Sequence, residues 1–138
     1  MTNEPVTLVD SNVLLDVIYQ DPKWDAWSSQ ALAEAFDAGR VIINPIVYAE
    51  VSMGFNSIEE LEDALPSSHY IREPLPFMAG FVAGKAFLTY RRRGGARRTP
   101  LPDFYIGAHA AVAGCRLLTR DVRGYRNFFT GIDIIAPE

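Results

Sequence analysis

Four acidic residues occupy positions at which an open α/β sheet would build a catalytic or metal-binding site. Asp10 ends one short apolar run, and Asp121 follows another, residues 116–119, by two residues. Glu50 lies about two turns into a predicted helix, and Asp103 lies in the first turn of a second one. Open α/β sheets place their sites at the carboxyl ends of the strands. If the first and fourth strands are neighbours, all four carboxylates can converge on one crevice.

Carboxylates gathered in this way repel one another, which raises their proton affinity. A hard divalent cation such as Mg²⁺ or Mn²⁺ relieves that repulsion, because it prefers oxygen ligands. Such a cation can orient a phosphodiester, generate a hydroxide nucleophile and stabilise the leaving oxygen. Four acids could hold one ion or two.

Each acid also has an ordinary structural explanation. Asp10 can cap a helix, and Asp103 in a first turn interacts favourably with the helix dipole. Asp121 can be a turn residue, and Glu50 can be a solvated helix residue. The prediction of a site therefore depends on the four acids together and on no single one of them.

The elements that must position these acids alternate along the chain. Short apolar runs predict strands at residues 6–10, 41–43, 69–73, 116–119 and 132–136. Helical spacing and capping signals predict helices at residues 11–19, 24–38, 45–54, from 57 onward, 76–93 and 102–113. Asn44 is the predicted cap of the third, and Ser57, in capping-box spacing with Glu60, that of the fourth. Ser11 or Asn12 is expected to cap the first helix. This alternation predicts an α/β fold, a three-layer α/β/α sandwich with a mainly parallel sheet of about five strands, and a single domain over residues 1–138.

Composition narrows the class of protein. No apolar stretch approaches the roughly 18–20 residues that a membrane-spanning helix needs, and residues 1–5 lack a signal-peptide pattern. The single cysteine, Cys115, cannot form an internal disulfide or a zinc cluster. We therefore expect a protein of the reducing cytoplasm with no membrane partner.

Charge is distributed unevenly along the chain. The net charge is −4, yet residues 1–80 carry 3 Lys/Arg against 13 Asp/Glu, and residues 81–138 carry 10 against 4. The predicted candidates for contacts to the phosphates of an anionic partner are Arg91, Arg92, Arg93, Arg97 and Arg98, just before Asp103, with Arg120 as a weaker one. The alternatives are a solvated surface run and mutual neutralisation of the two halves on folding.

Four segments in this order resemble a PIN domain. They are Val9-Asp10-Ser11-Asn12-Val-Leu-Leu15, Asn44-Pro-Ile-Val-Tyr-Ala-Glu50, Pro102-Asp103-Phe-Tyr-Ile-Gly-Ala108 and Leu118-Thr119-Arg120-Asp121. More narrowly, the chain resembles the VapC-like ribonuclease toxins of bacterial type II toxin–antitoxin modules. The resemblance covers about residues 6–137, although residues 51–75 match no motif.

The resemblance implies an α/β/α sandwich, a Mg²⁺- or Mn²⁺-dependent endoribonuclease with RNA as substrate, commonly a homodimer, and neutralisation by a small antitoxin. With RNA as the substrate, the six arginines named above become the candidates for contacts to RNA phosphates. By motif position, the catalytic and metal-binding residues would be Asp10, Glu50, Asp103 and Asp121. Ser11 and Asn12 occupy the place of a small polar pair, and Thr119 that of a hydroxyl residue before the last acid, so these three would support the acids.

Two further polar residues are predicted to stay outside the site. Asp16 is six residues from Asp10, about 240° around a helix, and is expected at the surface. His109 is six residues past Asp103 and is expected to be structural. The alternative function is a non-catalytic PIN-like RNA-binding or scaffold module, which would bind RNA without cutting it.

Overall fold

The computed structural model describes residues 4–94 and 101–137. Its strands are β1 (Val6–Val9), β2 (Arg40–Ile43), β3 (Ile71–Arg72), β4 (Arg116–Leu118) and β5 (Ile134–Ile135). Its helices are α1 (Ser11–Ile18), α2 (Asp25–Ala38), α3 (Pro45–Ser52), α4 (Ile58–Ala64), α5 (Phe77–Arg92), α6 (Leu101–Ala113) and α7 (Arg123–Phe128).

All five strands form one parallel sheet in the order β3-β2-β1-β4-β5. Leu8 in the central strand β1 lies opposite Ile42 of β2 on one side and Leu117 of β4 on the other. The first and fourth strands are therefore neighbours, as convergence of the four acids requires. The predicted α/β class and the five-stranded parallel sheet are confirmed.

The connections determine where this sheet can hold a site. The chain runs outward from β1 through β2 to β3 and then crosses back to β4 and β5. Because parallel crossovers are right-handed, the helices before β3 and those after it cover opposite faces of the sheet. The direction reverses between β1 and β4, and open α/β sheets form a crevice at such a reversal.

The core fills the space between the sheet and its helices. β1, β2 and β4 are nearly continuous apolar runs, which suits strands that are covered on both faces. Phe104 of α6 is fully buried and packs edge-on against Phe87 of α5, with Tyr90 and Phe128 beside it. In the described part of the chain, no helix is both long and apolar enough to cross a membrane.

Two local features differ from the sequence prediction. The N-cap of α1 is Asp10, whose side chain accepts the Ser11 N–H, so the cap is the alternative considered for Asp10 and not the expected Ser11 or Asn12. Helix α7 was not predicted, because its six residues are too few to show a helical period. By contrast, the capping signal at Ser57 is confirmed, since its hydroxyl accepts the Glu60 N–H at the start of α4.

Candidate active site

The candidate site lies at the carboxyl edge of the sheet, at the reversal between β1 and β4. Asp10 directly follows β1, and its backbone N–H donates to the carbonyl oxygen of Leu118 at the end of β4 (2.8 Å). Asp121 lies just beyond that strand end. The two acids predicted at strand ends therefore share one edge, and parallel pairing of β1 and β4 is the reason.

Asp10 is buried and held by three donors. Its Oδ1 accepts the backbone N–H of Ser11 (2.8 Å), and its Oδ2 accepts the hydroxyls of Thr119 (2.8 Å) and Tyr125 (3.0 Å). Burial raises the pKa of Asp10, and these three hydrogen bonds oppose that rise. The carboxylate is thus fixed in one orientation before any ligand arrives.

Thr119 and Asn12 connect the strand end to helix α1. The Thr119 hydroxyl, which donates to Asp10, also accepts the backbone N–H of Asp121 (3.1 Å). The Asn12 side chain contacts Thr119 through Nδ2 (3.4 Å) and accepts the backbone N–H of Arg120 through Oδ1 (3.2 Å). These contacts give both residues the means to support the acids, the role that the resemblance implies for them.

Glu50 enters the site from α3, and Ser11 holds it there. The Ser11 hydroxyl donates to Glu50 Oε1 (2.9 Å), which links α1 to α3. Partial burial raises the pKa of Glu50, the Ser11 hydrogen bond opposes the rise, and the charge of Asp10 adds to it. Ser11 therefore places a second carboxylate close enough to Asp10 for the two to repel.

Asp103 of α6 is strongly perturbed by its surroundings. Partial burial, followed by repulsion from Asp10, Glu50 and Asp121, raises the pKa of Asp103 from its ordinary value of 3.8 to about 7. Because all three other acids contribute to that shift, each of them lies within electrostatic reach of Asp103.

The donor chemistry of this cluster suits a hard divalent cation. All four side chains offer only carboxylate oxygens, the ligands that Mg²⁺ and Mn²⁺ prefer, and their mutual repulsion is relieved by positive charge. Within residues 4–94 and 101–137, no three acidic, histidine or cysteine side chains already stand in a metal-ligand arrangement. The Ser11 hydroxyl orients the Glu50 carboxylate and the Thr119 hydroxyl orients that of Asp10, so two of the four candidate ligands are held by hydrogen bonds.

A comparison with sequence models of known protein families gives a match. The sequence model of the PIN domain family matches residues 7–128. The chain belongs to the PIN domain family.

Solved structures show the same fold. The chain is similar to a chain of VapBC2 from Rickettsia felis bound to a promoter DNA fragment, with a TM-score of 0.73, 16% identity, and coverage of 95% of this chain and 98% of that one. It is similar to a chain of VapBC-1 from nontypeable Haemophilus influenzae, with a TM-score of 0.72, 20% identity, and coverage of 95% of this chain and 97% of that one. It is also similar to a chain of a toxin–antitoxin complex from Klebsiella pneumoniae, with a TM-score of 0.64, 22% identity, and coverage of 96% of this chain and 98% of that one. A comparison with curated protein sequences finds no match.

Tyr125 is a residue of this PIN domain whose place in the site sequence reasoning missed. Its side chain is 5% exposed, and its hydroxyl is the third donor to Asp10. Burial, and then the charges of Asp10 and Asp103, raise the pKa of Tyr125 well above 10, so the hydroxyl keeps its proton and remains a donor. The signal available in the sequence was a lone tyrosine four residues after Asp121, within a segment too short to be recognised as a helix.

Gly107 of α6 makes room for Tyr125. A Cβ atom at Gly107 would lie 2.5 Å from the ring of Phe129 and 3.1 Å from that of Tyr125. Only glycine therefore allows α7 to pack this closely on α6 and to bring the tyrosine hydroxyl to Asp10.

The predicted RNA-binding arginines fall into three groups. Arg91, Arg92 and Arg93 are exposed at the end of α5, where phosphates can reach them. Arg97 and Arg98 lie outside the described residues. Arg120 is partly buried in an ion pair with Asp16, whose side chain is 3% exposed. The prediction that Asp16 lies at the surface is therefore wrong, because α2 packs over that side of α1.

His109 makes a contact outside the acidic cluster. Its Nδ1 lies 3.0 Å from the Asn44 side-chain Nδ2, and Asn44 Oδ1 caps α3 through the Val47 N–H (2.9 Å). Because the Asn44 nitrogen can only donate, His109 accepts at Nδ1, and burial lowers its pKa in favour of this neutral form. The contact joins α6 to α3, the two helices that carry Asp103 and Glu50.

Replacing Tyr125 by phenylalanine tests whether its hydroxyl holds Asp10. We expect Tyr125→Phe to lower the free energy of unfolding by about 2 kcal/mol at pH 8, since it removes a buried hydrogen bond to a carboxylate. The loss should shrink in acid, where Asp10 is protonated and depends less on donors. Tyr19→Phe is the control, because that hydroxyl also makes one hydrogen bond (3.0 Å, to the Gly54 carbonyl) at an exposed position. Equal losses for the two variants in urea unfolding would contradict the assignment.

Proposed function

We propose that this PIN domain is a Mg²⁺- or Mn²⁺-dependent endoribonuclease that hydrolyses RNA phosphodiester bonds. The observation that carries the proposal is the state of Asp103, whose pKa is raised to about 7 by partial burial and by three neighbouring acids. Acids perturbed in this way, at a strand-end crevice, are typical of functional sites. Placing four like charges together lowers the stability of the metal-free protein, and binding of a divalent cation would offset that loss.

The metal would be held by Asp10, Glu50, Asp103 and Asp121. When bound, a divalent cation supplies a Lewis acid and a water that ionises at neutral pH. The protein's own contribution is to fix the oxygens in advance. Both hydroxyl donors occupy Oδ2 of Asp10, and only the Ser11 N–H occupies Oδ1, so Oδ1 is the oxygen with more capacity to meet a cation.

A basic surface beside these acids would attract the RNA. The exposed end of α5 carries Arg91–Arg93, and the chain continues through Arg97 and Arg98 into α6, which holds Asp103. Arginine binds phosphate through two parallel hydrogen bonds. We propose that these arginines contact phosphates beside the scissile bond and control affinity rather than chemistry.

The salt dependence of RNA binding tests this surface. We expect the double variant Arg91→Gln/Arg92→Gln to weaken binding of single-stranded RNA, most strongly at low salt. Each lost phosphate contact should flatten the slope of log affinity against log salt by roughly 0.7. Binding would be measured in Ca²⁺ in place of Mg²⁺ to limit cleavage, with Arg40→Gln as the control at the opposite edge of the sheet. An unchanged slope would show that the arginines at the end of α5 are solvated surface residues that do not contact RNA.

We further propose that the chain is the toxin of a toxin–antitoxin pair, that it acts in the cytoplasm, and that its partners are a small antitoxin and a second copy of itself. The similarity to chains of VapBC structures and of a toxin–antitoxin complex supports this proposal. A protein surface is also available for partners: Phe77, Met78 and Phe81 on α5 are each at least 60% exposed, which is unusual for large apolar side chains.

Cleavage of RNA by the purified chain tests the activity. A mixed-sequence single-stranded RNA should be cut internally in Mg²⁺ or Mn²⁺ and left intact in EDTA, while a DNA of the same sequence serves as the comparison substrate. Asp133→Asn is the matched control, because Asp133 is an exposed carboxylate next to β5. Binding of RNA without cleavage in either metal would contradict the proposal and favour a scaffold module.

A further inference from the structure

Arg120 lies between two residues of the site, yet its side chain is directed elsewhere. Its neighbours are Thr119, which donates to Asp10, and Asp121. The Arg120 guanidinium instead donates from Nε to Asp16 Oδ2 (2.7 Å) and from Nη2 to Asp16 Oδ1 (3.0 Å). This is a two-point ion pair, the strongest geometry available to an arginine and a carboxylate.

The partner of Arg120 is rigidly held. Asp16 is 3% exposed on α1, and its Oδ2 also accepts the hydroxyl of Ser28 from α2 (2.7 Å). The ring of Trp24 lies 5.2 Å from the Arg120 guanidinium, on the chain that leads into α2. Asp16 and Trp24 thus hold the Arg120 side chain, and Ser28 holds Asp16. Moving the guanidinium away would leave the buried Asp16 carboxylate without its counter-charge.

The backbone of Arg120 is fixed as well. Its N–H donates to Asn12 Oδ1 (3.2 Å), and the next N–H, that of Asp121, donates to Thr119 Oγ1 (3.1 Å). Side chain and backbone together tie the segment after β4 to α1. The sheet also holds the first residue of that segment, since the Thr119 N–H donates to the carbonyl oxygen of Ile135 in β5 (3.0 Å).

We propose that Arg120 is a positioning residue: its ion pair with Asp16 holds the segment Thr119–Asp121 against α1, so that Thr119 and Asp121 keep their places beside Asp10. This inference rests on the proposed nuclease function and replaces the expected contact of Arg120 with RNA phosphate. It assigns a part in the site to Asp16, a carboxylate that touches none of the four acids.

Two roles for Arg120, positioning the site and binding phosphate, predict different effects of the Asp16→Asn substitution. If Arg120 positions the site, Asp16→Asn and Arg120→Gln impair the same step. If Arg120 binds phosphate, Arg120→Gln weakens RNA binding, and Asp16→Asn leaves binding unchanged or improves it by freeing the guanidinium. Arg120→Gln leaves the Asp16 carboxylate buried without a counter-charge, so this variant can fail to fold. The double variant Asp16→Asn/Arg120→Gln removes both charges and is therefore tested as well.

The experiment measures RNA affinity in Ca²⁺ and the single-turnover cleavage rate at saturating RNA over a range of Mg²⁺ concentrations, well below each melting temperature. We expect Asp16→Asn and the double variant to lose at least tenfold in rate and to need more Mg²⁺, with RNA affinity and its salt slope unchanged. The double variant should be no worse than the poorer single variant, since both act through one contact. Arg40→Gln, which removes an arginine from an exposed ion pair (3.8 Å, to Glu73), should behave like the wild type.

Two results would overturn the proposal. One is weaker RNA binding in Arg120→Gln, with a slope flattened by roughly 0.7 and full binding in Asp16→Asn. The other is a wild-type rate and Mg²⁺ dependence in Asp16→Asn, which would leave the ion pair a purely structural role.

Hydrogen exchange of the Arg120 and Asp121 amides separates this proposal from the nuclease function. Faster exchange in Asp16→Asn, with unchanged exchange in the core strand β1, would support the positioning role of the ion pair even if the wild-type protein cleaved no RNA. Unchanged exchange at both amides would overturn it regardless of activity.

Discussion

Asp103→Asn should stabilise the metal-free protein by about 2 kcal/mol at pH 8 and abolish RNA cleavage. The pKa of Asp103 is raised from 3.8 to about 7, so the folded protein retains a proton that the unfolded chain releases. Wild-type stability therefore falls as pH rises from about 4 to about 7, and the full penalty is present above that range. Three pKa units correspond to about 4 kcal/mol, and solvent screening of this partly exposed group reduces that value by roughly half.

Urea unfolding of the wild type and Asp103→Asn between pH 4 and pH 8, in EDTA, measures this effect. The two stability curves should coincide near pH 4 and diverge until about pH 8. Saturating Mg²⁺ should narrow the gap, because an ion that binds only the folded wild type stabilises it. Asp133→Asn should show no such divergence. A loss of stability in Asp103→Asn at pH 8 would mean that the four acids do not repel one another in solution.

Asp10→Ala should have the opposite effect on stability, although it removes a carboxylate from the same site. Three donors converge on Asp10, and alanine would leave the Thr119 and Tyr125 hydroxyls and the Ser11 N–H without their acceptor. We expect a loss of about 3 kcal/mol in the free energy of unfolding, because each buried polar group left unpaired costs about 1–3 kcal/mol and water can enter the vacated space. Cleavage should be lost as well.

Asp10→Asn separates the two consequences of that change. Asparagine keeps an acceptor oxygen, and the two hydroxyls can rotate to meet its amide, so we expect a stability change within about 1 kcal/mol. The cleavage rate should still fall by roughly 10²–10³ or more, because the charge that holds the metal is gone. Unfolding in urea and single-turnover cleavage are the measurements. Wild-type cleavage in Asp10→Asn would remove this residue from the mechanism.

The sequence by itself predicted the elements and the position of the acids along them. A short apolar β-branched run such as Val6–Val9 favours a buried strand, and the polar residue that ends such a strand lies at the edge of the sheet. The same reasoning placed Asp121, while the capping signals at Asn44 and Ser57 predicted where α3 and α4 begin. These features are local, since strand and helix periods and capping hydrogen bonds involve residues only a few positions apart.

Only the tertiary structure decided which residues meet. The contacts of Asp10 with Thr119 and Tyr125 span 109 and 115 residues, and the Arg120–Asp16 pair spans 104. No local period records such pairings, because they depend on strand order and on how closely helices pack. Asp16 shows the difference: it was predicted to lie at the surface of α1, but α2 packs over that side of the helix. A carboxylate directed away from the site is thereby buried and bound to the arginine between Thr119 and Asp121.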